Sequence, residues 1–166
     1  MLNDELNVSR LIGAMEDGLR AFLSLDPLLI GIHTGGAWLA ESLHGKLGLY
    51  EPLGTLDISF YRDDFTRIGV HPQVKASDLP VDVNGRHVIL IDDVLHTGRT
   101  TRAAMNVIFD YGRPSSILLA VLVERTGREL PVQPDVVGKN LHLDARQHVK
   151  LSGPDELRLN ITERNL

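Results

Sequence analysis

The apolar positions of this chain follow two different spacings. Between residues 3 and 23 they recur every three or four residues, which predicts an amphipathic helix that Asp26-Pro27 brings to an end. The same spacing returns at about residues 38–47 and 100–111. The pattern therefore predicts three helices, each with one apolar side to bury against other elements.

Other segments have the patterns of β-strands. Continuous apolar runs, typical of strands that are covered on both faces, occur at 28–32, 87–91 and 116–123. Apolar and polar residues alternate at 56–60 and at 157–161, and the second of these segments predicts an edge strand. Because strands alternate with helices, the chain is expected to form an α/β domain, with a central, mainly parallel sheet flanked by helices.

Two stretches follow neither spacing. Residues 61–80 contain charged residues, a glycine and two prolines, which predicts a long loop of the kind that often closes over a site. Most of the stretch between residue 124 and the final alternating run is also rich in loop-forming residues. Few regular elements are therefore expected in the C-terminal third.

Length and composition fit one ordinary globular domain over residues 1–166, with 43% hydrophobic and 23% charged residues. The absence of cysteine excludes disulfides, thiolate metal sites and a cysteine nucleophile. No apolar run approaches the roughly 20 residues that span a bilayer, and the acidic N-terminus lacks a signal-peptide pattern, so a cytoplasmic location is expected. The net charge of -5 argues against a mainly nucleic-acid-binding surface.

The segment from Val88 to Thr100 carries the strongest chemical signal. Its apolar run leads to two acids, Asp92 and Asp93, at the carboxyl end of a strand, where α/β sheets bind ligands. A short loop with one glycine, Gly98, then opens a helix whose first amides have no partner within the helix. Such amides favour a phosphate, whereas paired acids suit sugar hydroxyls or Mg²⁺. The segment therefore predicts a site for a ribose 5-phosphate.

A second loop of this kind, Thr34-Gly35-Gly36, lies between the apolar run 28–32 and the next predicted helix. Glycine allows the backbone to approach an anion closely. Gly-Gly turns are common, so this loop gains its weight from the first segment. Together, the two loops predict two anion-binding positions in one site.

The segment 88–100 resembles the motif that binds 5-phosphoribosyl-1-pyrophosphate (PRPP) in type I phosphoribosyltransferases. A wider set of stretches resembles the PyrR family, whose members regulate pyrimidine operons and have uracil phosphoribosyltransferase activity. These stretches are Gly31-Ile32-His33-Thr34, Leu56-Asp57-Ile58, Tyr61-Arg62-Asp63-Asp64, Gly112-Arg113-Pro114-Ser115-Ser116-Ile117, Leu119-Ala120-Val121-Leu122-Val123, Arg128-Glu129-Leu130-Pro131 and Val137-Gly138-Lys139-Asn140. The resemblance implies the type I fold, with a small hood from about 131–155 and a flexible β-loop at about 61–80.

The resemblance also implies the parts played by individual residues. Asp92 and Asp93 would hold the ribose hydroxyls, with Mg²⁺ as the cofactor. The pyrophosphate would face the loop residues Thr34, Gly35 and Gly36. The residues that would hold the 5′-phosphate are Val94, Leu95, His96, Thr97, Gly98, Arg99 and Thr100. Arg62 would act in catalysis by closing over the pyrophosphate, with a merely solvated charged loop as the alternative.

Three further residues, Arg125, Val137 and Val149, would shape the hood over the base. The alternative for Arg125 is a surface ion pair with Glu124 or Glu129. The implied reaction converts uracil and PRPP to UMP and pyrophosphate. UMP-dependent binding of pyrimidine operon mRNA and assembly into homo-oligomers are also implied. Candidate RNA contacts are Lys139, Arg146 and Lys150, with a solvated basic face as the alternative.

Two positions keep other functions open. Better-known PyrR members have arginine where this chain has Gly35, and losing that guanidinium removes a bidentate phosphate contact. Catalysis would then be slower, another arginine would substitute, or the protein would be a non-catalytic nucleotide-sensing regulator. His96 stands where 6-oxopurine enzymes carry an aspartate, which leaves hypoxanthine or guanine open as the base.

Trp38 is expected in the core or in an interface.

Overall fold

The structure, a computed structural model, describes residues 6–59 and 77–164. Three α-helices occur in this part of the chain: α1 (Val8–Leu19), α2 (Gly35–Leu47) and α3 (Arg99–Tyr111), with a 3₁₀ helix at Arg20–Leu25. The strands are β1 (Leu28–Ile32), β2 (Gly54–Leu56), β3 (His87–Leu95), β4 (Ser116–Arg125), β5 (Val136–Leu141), β6 (Gln147–Ser152) and β7 (Arg158–Glu163). Arg62 and most of the predicted 61–80 loop lie outside the described residues.

Five strands form one parallel sheet in the order β2-β1-β3-β4-β5. Strands β6 and β7 pair with each other as an antiparallel hairpin. The α/β expectation is confirmed, because the buried apolar runs form the parallel strands and the helices cover both faces of the sheet.

The two faces of the sheet use alternate residues of the same strands. The residues that pack with α1 and α2 are Leu29, Ile89, Ile91, Ala120 and Leu122. The residues that pack with α3 are Leu28, Ile30, Val88, Leu90 and Val121. This alternation explains why the sequence shows continuous apolar runs here instead of an alternating pattern.

Several boundaries differ from the expected ones. Helix α1 begins at Val8, since the Asn7 side chain accepts a hydrogen bond from the Arg10 amide and caps the helix. Strand β2 ends at Leu56, before most of the alternating segment 56–60. Strand β3 continues to Leu95, so the paired acids lie within the strand and do not follow it. Its pairing with β4 reaches Leu95, which keeps the backbone extended past the apolar run.

The expectation of few regular elements in the C-terminal third is wrong. Strand β5 is the last strand of the central sheet, and β6 is one half of the hairpin. The segment Gly138-Lys139-Asn140 interrupts the apolar pattern of β5, so its strand character depends on pairing with β4. Within the predicted hood range of 131–155, β5 thus belongs to the main sheet, whereas β6 belongs to the separate hairpin, which packs against β3.

Of the helices in the described part of the chain, none combines the length and apolar character needed to cross a lipid bilayer.

Candidate active site

The strand order defines where a ligand can sit. Strand β1 has β2 as its neighbour on one side and β3 as its neighbour on the other, so the strand order reverses direction at β1. In open α/β sheets the crevice at such a reversal, outside the carboxyl ends of the strands, is the usual ligand site. Helix α2 begins at Gly35, so only Thr34 of the predicted Thr34-Gly35-Gly36 loop lies outside a helix. Here Thr34 and the first residue of α2, Gly35, meet the carboxyl end of β3, which carries Asp92 and Asp93.

Glycines allow α2 to lie directly on the sheet. A methyl group on Gly36 would stand 2.5 Å from the carbonyl oxygen of Ile91, and one on Gly31 would stand 2.7 Å from Cβ of Ala40. A methyl group on Gly35 would stand 2.5 Å from Oδ2 of Asp93. The close approach therefore brings the first loop against the acidic end of β3.

A cleft of about 400 Å³ opens at this point. The residues that line it are His33, Thr34, Gly35, Trp38, Asp92, Asp93, Val94, Thr100, Lys150 and Leu151. The structure thus brings both predicted loops, both acids and the β6 strand to a single cavity. A larger cavity of about 750 Å³ lies elsewhere, between the start of α1 and the β6–β7 turn, and contains none of the predicted site residues.

The two acids differ in their surroundings. Asp92 is 6% exposed, and its Oδ1 accepts a hydrogen bond from the Asp93 amide at 2.9 Å. Oδ1 of Asp93 accepts one from the Val94 amide at 2.9 Å, while its Oδ2 lies beside Gly35. The backbone thus fixes one oxygen of each carboxylate.

The loop before α3 is held by backbone contacts. The Thr97 carbonyl accepts hydrogen bonds from the amides of Glu129 and Leu130, both at 3.0 Å. Gly98 has φ 93°, in the left-handed region that favours glycine, and caps the helix that follows. Thr100 lines the cleft, so the first turn of α3, whose amides have no partner within the helix, borders that cavity.

Within the predicted 5′-phosphate segment, not every side chain reaches the cleft. Leu95 is buried in the core at 2% exposure. Nε of Arg99 donates to Glu129 at 2.8 Å, and about half of each side chain is exposed. Thr101, one residue past the predicted segment, is buried, and its hydroxyl has no hydrogen-bond partner among the described residues. An anion at this loop would therefore meet mainly backbone groups.

His96 is partly buried. Its Nε2 stands 2.6 Å from where a methyl group on Gly127 would be. Burial lowers the pKa of His96, and the positive charge of Arg125 lowers it further; His148 and Arg128 act in the same direction, and Glu129 opposes them. The structure therefore favours the neutral imidazole at this position.

The lowered pKa of His96 predicts an acid-dependent loss of stability. Well above the ordinary value of 6.5, the imidazole is neutral in both the folded and the unfolded chain, so it does not change the free energy of unfolding. As pH falls below that value, the unfolded chain binds a proton that the folded chain resists, so the free energy of unfolding decreases. His96→Gln should therefore lose less stability than the wild type between about pH 7.5 and about pH 5.5 in urea denaturation.

His142→Gln, which changes an exposed histidine, serves as the control for this measurement. Parallel pH profiles for the wild type and His96→Gln would contradict the prediction.

Arg125 is 5% exposed and has a different environment from the surface ion pair that sequence reasoning left open. Its guanidinium donates to the carbonyl oxygens of Gln147 at 2.7 Å, Asp144 at 3.3 Å and Thr126 at 3.4 Å. These contacts anchor the segment before β6. Glu124 pairs instead with Arg128.

The other predicted hood and RNA residues are spread over two elements. Val137 and Lys139 are half-buried on β5 of the central sheet, and Val149 packs against the core from β6. Arg146 is exposed in the turn before β6. Lys150 of β6 lines the cleft itself, beside the acids. The predicted basic patch thus has one member in the candidate active site.

Sequence reasoning did not assign Trp38 to the site. Its ring packs partly against the core and also lines the cleft. A methyl group on Gly153 would stand 3.1 Å from its Cε3, so the ring supports the end of β6. A signal was present, because Trp38 lies one helical turn after Gly35 and so on the same side of α2.

The contact between Gly35 and Asp93 gives a test of the geometry. In Gly35→Ala, the added methyl group would displace the Asp93 carboxylate, a side chain that can move without disturbing the core. We expect enzymatic turnover to fall by about 10-fold or more. The midpoint of urea denaturation should change little. Equal turnover in the variant and the wild type would show that the position of Asp93 is unimportant.

Comparisons with known proteins agree with this geometry. Residues 9–153 match the family model "Phosphoribosyl transferase domain". A solved hypoxanthine-guanine phosphoribosyltransferase of Bacillus anthracis has a TM-score of 0.64 at 17% identity, covering 82% of each chain. A purine phosphoribosyltransferase of Pyrococcus horikoshii has a TM-score of 0.56 at 24% identity, covering 81% of this chain and 80% of its own. The chain belongs to the phosphoribosyltransferase family.

Curated relatives narrow this class. A "Bifunctional protein PyrR" of Nitrosococcus oceani is 56% identical over 162 residues, which cover 94% of this chain and 92% of the relative. A protein of the same name from Pseudomonas aeruginosa is 54% identical and covers 92% of each chain. Within the phosphoribosyltransferases, the chain is therefore a member of the PyrR family, as its sequence motifs predict.

Proposed function

We propose that this protein converts uracil and PRPP to UMP and pyrophosphate, and that it regulates a pyrimidine operon by UMP-dependent binding of mRNA. The observation that carries the enzymatic part is the meeting of Asp92 and Asp93 with the loop Thr34-Gly35 and the start of α3 in one cleft. Membership of the PyrR family supports both parts of the proposal.

In the proposed reaction the bond between C1 of the ribose and the pyrophosphate oxygen breaks, and a nitrogen of uracil bonds to C1 and releases its proton to the pyrophosphate or to water. Positive charge develops on the ribose as the bond breaks. The carboxylates of Asp92 and Asp93 would hold the hydroxyls and stabilise this charge. The amides at the start of α3 would hold the 5′-phosphate, and the backbone at Thr34 and Gly35 would face the leaving group.

The acids also fit a Mg²⁺ ion. No group of three metal-binding side chains occurs in the part of the chain that the structure describes. Mg²⁺ is commonly held by one or two carboxylates together with substrate phosphates and water. Asp92 and Asp93 would provide the carboxylates. When bound, the ion would neutralise the negative charge that grows on the pyrophosphate.

The direct test is an assay of the purified protein with uracil and PRPP in the presence of Mg²⁺. Formation of UMP and pyrophosphate is expected. Trp38 is the single tryptophan of the chain and lines the cleft, so its fluorescence should respond to PRPP and UMP. UMP binding without turnover would instead favour a non-catalytic regulator, a candidate that the small residue at Gly35 keeps open.

The base is tested in the same assay with hypoxanthine and guanine in place of uracil. The two solved purine enzymes described above are 24% and 17% identical to this chain and support only the fold. Uracil is proposed because of the PyrR relationship. If turnover is faster with either purine than with uracil, that purine is the substrate and the proposal of uracil is wrong.

The regulatory part needs a separate measurement. Electrophoretic mobility of a pyrimidine operon leader RNA should decrease with added protein, and UMP should strengthen the shift. Lys139 and Arg146 are the proposed basic contacts outside the cleft. With a net charge of -5, binding should depend on a few local contacts. Absence of a shift at low salt would contradict the regulatory part alone.

A further inference from the structure

The charges that line the cleft do not match the proposed substrate well. Two carboxylates, Asp92 and Asp93, face a cavity that would take a ligand with three phosphate groups. Thr34 and Gly35, beside the proposed pyrophosphate, carry no charge. Among the described residues that line the cleft, Lys150 is the one lysine or arginine. Beside the proposed Mg²⁺ ion, Lys150 is therefore the positive charge that this described lining offers to a polyanion.

The fold explains how Lys150 reaches this position. Strand β6 pairs with β7, with Lys150 opposite Asn160, and packs against β3. Its neighbour Leu151 is 3% exposed and is anchored in the core, as is Val149 in part. Side chains alternate along a strand, so Lys150 is directed away from that core and remains exposed.

The ammonium group of Lys150 has no competing partner in the described part of the chain. Other cations of this region behave differently. Arg99 pairs with Glu129, Arg128 with Glu124, and Arg158 with Glu156. A lysine that borders a cleft without an internal ion pair can give its charge to a ligand at little cost in protein contacts.

The strand that carries Lys150 is also supported from within the site. Trp38 packs against Gly153, just beyond the end of β6, with 3.1 Å between Cε3 and the position of an added methyl group. Arg125 binds the carbonyl oxygens of Asp144 and Gln147 at the other end. Both ends of β6 are therefore held, and the backbone of Lys150 is fixed relative to the cleft.

We propose that Lys150 is the cation that binds the pyrophosphate group of the substrate and product in this protein. It supplies from β6 the positive charge that Gly35 lacks in the first loop. Gly35 itself carries no charge and packs against the Asp93 side chain, whereas Lys150 reaches the same cleft from β6. The inference rests on the proposed function, because it assumes a pyrophosphoryl ligand in this cleft.

The test compares Lys150→Met and Lys150→Arg with the wild type. Lys150→Met should raise the Kd for inorganic pyrophosphate, with Mg²⁺ present, and the KM for PRPP by about 10-fold or more. The Kd for UMP, which lacks the pyrophosphate, should change by less than about 2-fold. Lys150→Arg should restore most of the affinity for pyrophosphate. Calorimetry gives each Kd, and Trp38 fluorescence provides a second readout.

Lys46→Met, on the exposed last turn of α2, is the matched control and should leave both affinities unchanged. Unchanged binding of pyrophosphate by Lys150→Met would overturn the inference, and so would equal losses for pyrophosphate and UMP. The wild-type turnover assay tests the proposed function separately. If turnover is absent, the pyrophosphate titration still decides the inference, and a wild type that binds no pyrophosphate overturns it.

Discussion

Asp93→Asn is expected to lower the rate of UMP formation from uracil and PRPP by about 10²- to 10³-fold. The substitution keeps the shape of the side chain and an oxygen that can accept the Val94 amide, which lies 2.9 Å from Oδ1. It removes the negative charge that we propose stabilises the ribose as its bond to pyrophosphate breaks. The loss should therefore appear in kcat, with the fold intact.

Steady-state kinetics and a urea denaturation curve together check this expectation. Asp110→Asn is the control, because Asp110 lies exposed on α3 and outside the cleft. It should retain wild-type turnover. If Asp93→Asn turns over within about 3-fold of the wild type, the carboxylate has no role of the kind proposed here.

Gly36→Ala is expected to destabilise the protein by about 2 kcal/mol or more. The new methyl group would stand 2.5 Å from the carbonyl oxygen of Ile91 and 3.0 Å from Cα of Asp92. Both are backbone atoms of β3, so neither can move aside without shifting the strand. Helix α2 would be pushed away from the sheet, and the loop before it would lose its position beside Asp93.

Gly45→Ala is a matched control in the same helix, since nothing lies within 4 Å of the added methyl group. Alanine favours a helix over glycine by about 1 kcal/mol, so this variant should be slightly more stable than the wild type. Urea denaturation midpoints of the two variants should therefore move in opposite directions. Similar midpoints would show that α2 does not depend on the close contact at Gly36.

Much of the fold could be predicted because its strands are buried on both faces. The runs at Leu28–Ile32 and at the start of β3 and β4 are continuous and apolar, and they form the parallel strands as expected. Strand β5 could not be predicted in this way. Its polar residues are partly or fully exposed and interrupt the apolar pattern, so only pairing with β4 makes the segment a strand.

For the candidate site too, local features could be predicted from the sequence, and contacts between distant segments could not. The acids and both loops were predicted, because their chemistry and their order along the chain are local features. The contributions of Trp38 and Lys150 were not, since one lies on α2 and the other more than 100 residues later on β6. For Arg125 the sequence left a surface ion pair open as the alternative to a place in the hood, and the structure shows buried contacts with carbonyl oxygens.

The amino-acid sequence by itself determined the class of this protein, because the acids, the glycine loops and the buried strands are encoded in short continuous segments. It also determined membership of the PyrR family through motifs spread from residue 28 to residue 141. Only the tertiary structure decided which distant side chains complete the cleft. That outcome depends on how β6 packs against β3, and such packing is set by contacts between segments far apart in the chain.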